Sequence, residues 1–131
     1  MSFRMFKRCV VGLMGVVAMH WACAQNFPTK PLRIVVPFGA GGVADLTART
    51  VAQKMSEGLG QSVVIENRPG AGGIVAAETV AKSDPDGHTM LLISNANAIS
   101  ASLFQNLPID QVKDFAPVSL MGLFDLAIVT S

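Results

Sequence analysis

The feature that most constrains the fold is an alternation of short apolar runs with Gly-rich loops and amphipathic segments, starting at Leu32. The runs predict strands, and the segments between them have the three-to-four-residue apolar spacing of helices. Because each connection is too long for a hairpin, the order strand-helix-strand-helix-strand predicts a parallel sheet with helices on its faces. The predicted strands are 32–36, 63–65 (ending at Glu66-Asn67) and 90–93.

The predicted helices follow the two Gly-rich loops. The first has its apolar face at Leu46, Ala48, Val51, Ala52, Met55 and Leu59, and Gly58 and Gly60 are expected to end it. The second is predicted over Ile74–Lys82, before an Asp-Pro-Asp-Gly turn. Beyond Ser94 the pattern predicts a short helix over Ala98–Phe104, a turn or single helical turn over Asp110–Asp114 and further strands over Val118–Leu123 and Leu126–Thr130.

Residues 1–24 have the pattern of a secretory signal peptide. A basic start is followed by an uncharged, mostly apolar run, Cys9–Met19, and by Ala22-Cys23-Ala24 with small residues at the key positions. The run is too short to span a bilayer, which needs about 20 apolar residues. We expect cleavage after Ala24 and a periplasmic product, the alternative being a short N-terminal anchor or a buried helix.

Composition after such cleavage excludes several classes of function. Both cysteines are removed, His88 is the only remaining histidine, and seven basic residues face nine acidic ones. The remaining chain therefore has no cysteine for a disulfide framework or a thiolate metal site, and a single histidine makes a His-based triad improbable. A slightly acidic chain without basic runs also gives no electrostatic footprint for nucleic acid. We expect no metal, no cofactor and no nucleic-acid partner.

The first Gly-rich loop is the main candidate binding site. A glycine-rich corner between a strand and a helix presents backbone N–H groups at the positive end of the helix, and such a corner attracts a phosphate, sulfate or carboxylate. The alternative is a tight corner with no ligand. Asp45 falls at the third helical position, where capping of free helix N–H groups is its more natural role. The candidate ligand-binding residues are Phe38, Gly39, Ala40, Gly41 and Gly42.

A second candidate segment follows the third predicted strand. Ligands of open α/β sheets bind beyond the carboxyl ends of the strands, where a Ser hydroxyl and Asn amides could complete the hydrogen bonds of an anion. An ordinary Asn-rich turn is the alternative. Arg68 is expected to be a solvated surface charge and His88 a structural residue. The candidate residues are Ser94, Asn95, Ala96 and Asn97.

A dinucleotide site is the rival interpretation of the first loop. Gly39-x-Gly41-x-x-Ala44 satisfies the dinucleotide fingerprint, and Glu66 ends the next strand where a ribose-binding acid belongs. Against this, Pro37 and Phe38 separate the strand from the first glycine, and an exported protein meets little dinucleotide. We therefore do not expect an enzyme, although an exported α/β enzyme remains an alternative, as does a non-functional truncated gene product.

Several blocks of the sequence, in order, resemble the Bug or TctC-like extracytoplasmic solute receptors of tripartite tricarboxylate transporters. The combination of blocks is specific, whereas a single Gly-Ala-Gly-Gly is not. The blocks are Phe27-Pro28-x-Lys30-Pro31-Leu32-Arg33, Val35 to Gly42 with Asp45, Gly60-Gln61 with Val63 to Gly73, Asp84 to Thr89, Leu107-Pro108 and Val112 to Val118.

The resemblance implies a two-domain, periplasmic-binding-protein-like α/β receptor. Such a receptor closes on a small organic carboxylate, a di- or tricarboxylate or related acid, and delivers it to membrane permease subunits. It implies ligand contacts from Phe38–Gly42 and Ser94–Asn97, largely through backbone N–H groups and bridging waters. The chain departs from the family at Ala96-Asn97, where Gly-Thr is common. Family members are also two to three times longer, so we expect residues 25–131 to be the N-terminal part of domain 1, truncated, without the second domain.

Overall fold

A three-stranded parallel sheet forms the centre of the computed structural model, which describes residues 27–104, 106–111 and 113–124. Its strands stand in the order β2-β1-β3, so the first strand in the chain is the central one. The elements are β1 (Leu32–Val36), α1 (Val43–Leu59), β2 (Val63–Asn67), a 3₁₀ turn (Ala71–Gly73), α2 (Ile74–Ala81), β3 (Thr89–Leu91) and α3 (Asn95–Leu103). The predicted parallel α/β sheet with flanking helices is confirmed.

The sheet is covered by a helix on each face. The α1 crossover runs from β1 to β2 and the α2 crossover runs back past β1 to β3, so two right-handed crossovers place their helices on opposite faces. Ile34 and Val36 pack with Ala48 and Ala52 of α1 in the core. Val35, which is fully buried, points to the other face because side chains alternate along a strand. All described strand pairs are parallel, so the carboxyl ends of the three strands lie at one edge.

Several element boundaries differ from the prediction. Gly58 lies inside α1, and the helix ends at Gly60, whose φ of 66° gives the left-handed cap. Leu46 and Leu59 are exposed instead of buried, so the core-facing stripe of α1 is formed by smaller side chains. Strand β3 starts one residue earlier and ends two residues earlier than predicted, although the Leu92 N–H still donates to the carbonyl oxygen of Val35 at 2.9 Å.

The region after β3 contains the largest disagreements. Helix α3 begins at Asn95, three residues before the predicted start, because Ser94 and Asn97 form a capping box there. The turn over Asp110–Asp114 is confirmed by a 3.0 Å bond from the Asp114 N–H to the Asp110 carbonyl oxygen. The strand predicted over Val118–Leu123 was wrong, since that segment has no regular secondary structure and pairs with no described strand.

Two predicted elements, the signal peptide over residues 1–24 and the strand over Leu126–Thr130, lie outside the described residues. Within the described ranges, the helices are all too short or too polar to traverse a membrane. His88 is buried, as expected of a structural residue. Its Nε2 lies 3.3 Å from the Thr29 N–H, and its ring packs on Phe27 with the ring centres 4.8 Å apart.

Candidate functional site

The first Gly-rich loop connects β1 to α1 at the carboxyl edge of the sheet. Gly42 is the N-cap of α1, and Gly41 has a φ of 86°, a backbone conformation that side chains other than glycine disfavour. In the described part of the chain, the amides of Gly39, Ala40 and Gly42 donate to no protein group. These N–H groups lie at the positive end of a 17-residue helix, where an anion is stabilised.

A ring of three side chains lies beside this loop. The Asp45 carboxylate, 2% exposed, accepts the N–H of Gly41 and the Nε–H of Arg49 through Oδ2, each at 2.9 Å. Its other oxygen, Oδ1, accepts Nδ2–H of Asn67 at 2.9 Å, and Nη2 of Arg49 donates to Asn67 Oδ1 at 3.3 Å. Asp45 therefore does not cap a free N–H group of the helix as predicted, because the N–H that it accepts belongs to Gly41, which precedes the N-cap Gly42.

The Asp45 side chain changes what the loop can offer a ligand. Because the Gly41 N–H donates to Asp45, it is not available to a ligand. The amides of Gly39, Ala40 and Gly42, which donate to no group of the described residues, remain open to one. The hydrogen bond from Arg49, followed by those from Gly41 and Asn67, holds the pKa of Asp45 well below its ordinary value. The carboxylate is thus ionised at neutral pH, and Arg49 offsets its charge.

This pKa shift predicts how the loop responds to acid. The folded pKa of Asp45 lies below the unfolded value near 3.8, so the ionised carboxylate stabilises the fold fully above pH 3.8 and loses this effect as the pH falls through the folded pKa. We expect the chemical shift of the Gly41 amide to stay constant as pH falls to 3.8 and to change only below it. Two-dimensional NMR across an acid titration measures this, and a Gly41 transition at or above pH 3.8 would contradict it.

The second candidate segment is the first turn of α3 and not a free loop. Asn97 is fully buried, and its Oδ1 accepts the N–H of Ser94 at 3.1 Å and lies 3.3 Å from the Ser94 hydroxyl. Its Nδ2 donates to the carbonyl oxygen of Gly73 at 3.3 Å. Asn95 is exposed, with Oδ1 accepting the N–H of Ala96 at 2.9 Å. The Asn97 side chain therefore joins α3 to the second Gly-rich loop.

The second Gly-rich loop is the surface on which α3 packs. A Cβ on Gly73, whose φ is 88°, would lie 2.6 Å from Nδ2 of Asn97. A Cβ on Gly72, with a φ of 62°, would clash with Oγ of Ser100, and that hydroxyl donates to the Gly72 carbonyl oxygen at 3.0 Å. The glycines here allow close approach of a helix, so the two Gly-Ala-Gly-Gly loops have different roles in the structure.

The Glu66 carboxylate is paired with two arginines. Nη1 of Arg33 donates to Oε2 at 2.9 Å and Nε of Arg68 donates to Oε1, and the bond from Arg68 lowers the pKa of the Glu66 carboxyl most strongly. Both carboxylate oxygens are thus engaged within the protein, which disfavours the ribose-binding role of the dinucleotide hypothesis. Arg68, predicted to be a solvated charge, is half exposed and paired.

Sequence reasoning missed two residues that organise the site. Asn67 was recognised only as the end of a strand, and Arg49 was not singled out. A usable signal existed for each: Asn67 ends β2 at the edge where the first loop lies, and Arg49 is one helical turn after Asp45, at the spacing of helix ion pairs.

Comparison with known proteins identifies the family. A family model described as the tripartite tricarboxylate transporter family receptor, TctC, matches residues 47–131. A UPF0065 protein of Bordetella pertussis is 48% identical over 107 residues, which cover 79% of this chain and 33% of that protein. The BugT protein of the same organism is 40% identical over 110 residues, covering 82% and 34% of the two chains.

A solved structure agrees with these sequence matches. The structure of MatC from Rhodopseudomonas palustris with bound malate is similar with a TM-score of 0.67 and 42% identity, over 72% of this chain and 33% of that one. The chain spans about a third of the length of the curated relatives it matches. Its fold matches about a third of a periplasmic binding protein, and its family consists of receptors, not enzymes. The chain therefore belongs to the TctC family of tripartite tricarboxylate transporter receptors.

Proposed function

We propose that this chain is part of a periplasmic receptor that captures a small organic carboxylate, a di- or tricarboxylate or a related acid, for a tripartite tricarboxylate transporter. The observation that carries the proposal is that the amides of Gly39, Ala40 and Gly42, at the positive end of α1, donate to no group of the described residues. Family membership supports it, as does the similarity to a protein with malate bound. Permease subunits are the proposed partners.

Neutral dipoles bind the anion in this proposal. The Arg49 and Arg68 side chains near the carboxyl edge are each already paired with a carboxylate. The proposed ligand contacts come from Phe38–Gly42 and from the start of α3 at Ser94–Asn97. At the start of α3 the N–H groups of Ser94, Ala96 and Asn97 already donate within the protein, so among the described residues the Asn95 N–H is the donor open to an anion. Backbone N–H groups at two helix starts favour a carboxylate over a neutral solute, because both helix dipoles are positive there.

A charge placed in the loop tests the proposal. Ala40 is exposed, so Ala40→Asp is expected to leave stability nearly unchanged and to weaken malate binding about tenfold, because two like charges about 4 Å apart repel by roughly 1–4 kcal/mol in a solvated site. Isothermal titration calorimetry with malate and citrate measures the affinity. Ala116→Asp is the matched control, since Ala116 is also exposed and the change adds the same charge. Equal affinity in both variants would contradict the proposed site.

We propose further that export removes residues 1–24 and that residues 25–131 form the N-terminal part of domain 1 of a longer receptor. The basic start and small-residue cleavage pattern support export, and the coverage of about a third of each relative supports the longer protein. The intact mass of the native protein in a periplasmic extract tests both statements. We expect an N-terminus at Gln25 and a mass about two to three times that of Gln25–Ser131, whereas retention of Met1 or a mass matching 107 residues would contradict them.

A further inference from the structure

Two side chains of the ring, Asn67 and Asp45, each hold one end of the candidate ligand loop. At its start, the carbonyl oxygen of Phe38 accepts Nδ2–H of Asn67 at 3.0 Å. Near its end, the Gly41 N–H donates to Asp45 at 2.9 Å. The residues between these points have no hydrogen-bond partner in the described chain. Glycine-rich backbone has many accessible conformations, so contacts outside the loop must select the observed one.

The two holding side chains are themselves fixed. One Asn67 nitrogen donates both to the loop and to Asp45, at 3.0 and 2.9 Å, so its two hydrogens are used. Arg49 closes the ring by donating to both partners. Asp45 and Arg49 come from α1 and Asn67 from the end of β2, so the ring joins two elements across the loop. A polar network whose members are satisfied is rigid. Among the described residues, the hydrogen bonds of this network to the loop are those at Phe38 and Gly41.

We propose that Asp45 and Asn67 are positioning residues that hold the Phe38–Gly42 loop in its ligand-binding conformation before the ligand arrives. This inference rests on the proposed function, because it assigns the loop to carboxylate binding. Neither side chain contacts the ligand. They order the loop before binding, so the loop loses less conformational entropy when the ligand binds. Fixing the backbone of even one residue corresponds to about a tenfold factor in affinity.

The test compares two substitutions in the whole chain that break the ring from opposite sides. Asp45→Asn keeps the size of the side chain and removes its charge, while Asn67→Leu keeps the approximate volume and removes both donors. We expect each to raise the Kd for malate about tenfold and to accelerate hydrogen exchange at the Gly41 amide in the ligand-free protein. Because both act on one loop, the double variant is expected to bind little worse than either single variant.

A matched control lies at the other edge of the sheet. Asp86 also accepts a backbone N–H, that of His88 at 3.0 Å, and pairs with a cation, Lys30, at 2.7 Å. Asp86→Asn removes the same charge from a similar arrangement that is remote from the loop. A merely structural role for Asp45 predicts that both Asp→Asn variants lower Tm and neither changes Kd at temperatures well below Tm.

The possible results separate the two proposals. A tenfold change in Kd for Asp45→Asn and Asn67→Leu, with Asp86→Asn within twofold of wild type, supports the positioning role. Equal Kd values in all three variants, or unchanged exchange at Gly41 in both ring variants, overturn it. If the wild-type chain binds neither malate nor citrate, the proposed function fails for these probes, and the exchange rates of Gly41 still decide whether the ring holds the loop. Asn67→Leu decides it alone if Asp45→Asn does not fold.

Discussion

Replacing Gly73 with alanine is expected to lower the free energy of unfolding by about 3 kcal/mol, the sum of two costs. A left-handed backbone costs a non-glycine residue about 1–2 kcal/mol, and the φ of Gly73 is 88°. The new Cβ would also lie 2.6, 2.9 and 3.0 Å from three atoms of Asn97, and such overpacking costs roughly 1–3 kcal/mol. Asn97 cannot move away without losing its bonds to Ser94 and to Gly73 itself.

Urea unfolding of the whole chain measures this loss, and Gly58→Ala is the matched control. Gly58 lies inside α1, and a Cβ there would have nothing within 4 Å. Alanine in a helix interior is better than glycine by roughly 0.5–1 kcal/mol, so the same chemical change is expected to stabilise the chain at this position. A Gly73→Ala variant as stable as wild type would show that α3 does not pack on the second Gly-rich loop as described.

The second large effect is expected at Ile34. Its side chain, 4% exposed, lies in the middle of the central strand and packs against Ala48 and Ala52. Truncation of a buried Ile to Ala costs about 2–5 kcal/mol, because the lost transfer energy adds to the cost of the cavity. We expect Ile34→Ala to lower the free energy of unfolding by about 3 kcal/mol.

The control for Ile34 is Val64→Ala in the neighbouring strand. Val64 is 52% exposed, and surface substitutions away from special features usually change stability by less than about 0.5 kcal/mol. Chemical unfolding curves of the two variants therefore separate burial from strand propensity. Similar losses at the two positions would contradict the description of a core formed by β1 and α1 and would attribute the effect to the strand as a whole.

The order of elements could be predicted from the sequence because periodicity depends only on which face of each element is buried. The apolar run at Leu32–Val36 and the spaced apolar residues of α1 required no knowledge of their partners. The run at Val118–Leu123 has a similar composition but is not a strand, because a strand also needs a neighbour to pair with. No described strand pairs with it, and Val118, Leu120 and Leu123 are largely exposed.

The site was predictable to the level of its loops and not of its contacts. The position of Phe38–Gly42 between a strand and a helix followed from the chain order, since carboxyl ends of parallel strands share an edge. The role of Asn97 did not follow, because an Asn after a Ser is equally common in a free turn and in a capped helix start. Only the burial of Asn97 against Gly73, 24 residues away in sequence, distinguishes the two cases.

The central position of β1 has a consequence for the order in which the chain can assemble. β1 is synthesised first, yet both other strands pair with it: Leu32 aligns with Val63, and Arg33 aligns with Thr89. The chain segment between β1 and β2 is shorter than the segment between β1 and β3, so closing it costs less entropy. The β1–α1–β2 unit is therefore the natural first stage of folding. During synthesis or export, the apolar β1 segment is therefore the strand that stays unpaired for the longest time. It is the segment that a chaperone would have most time to bind.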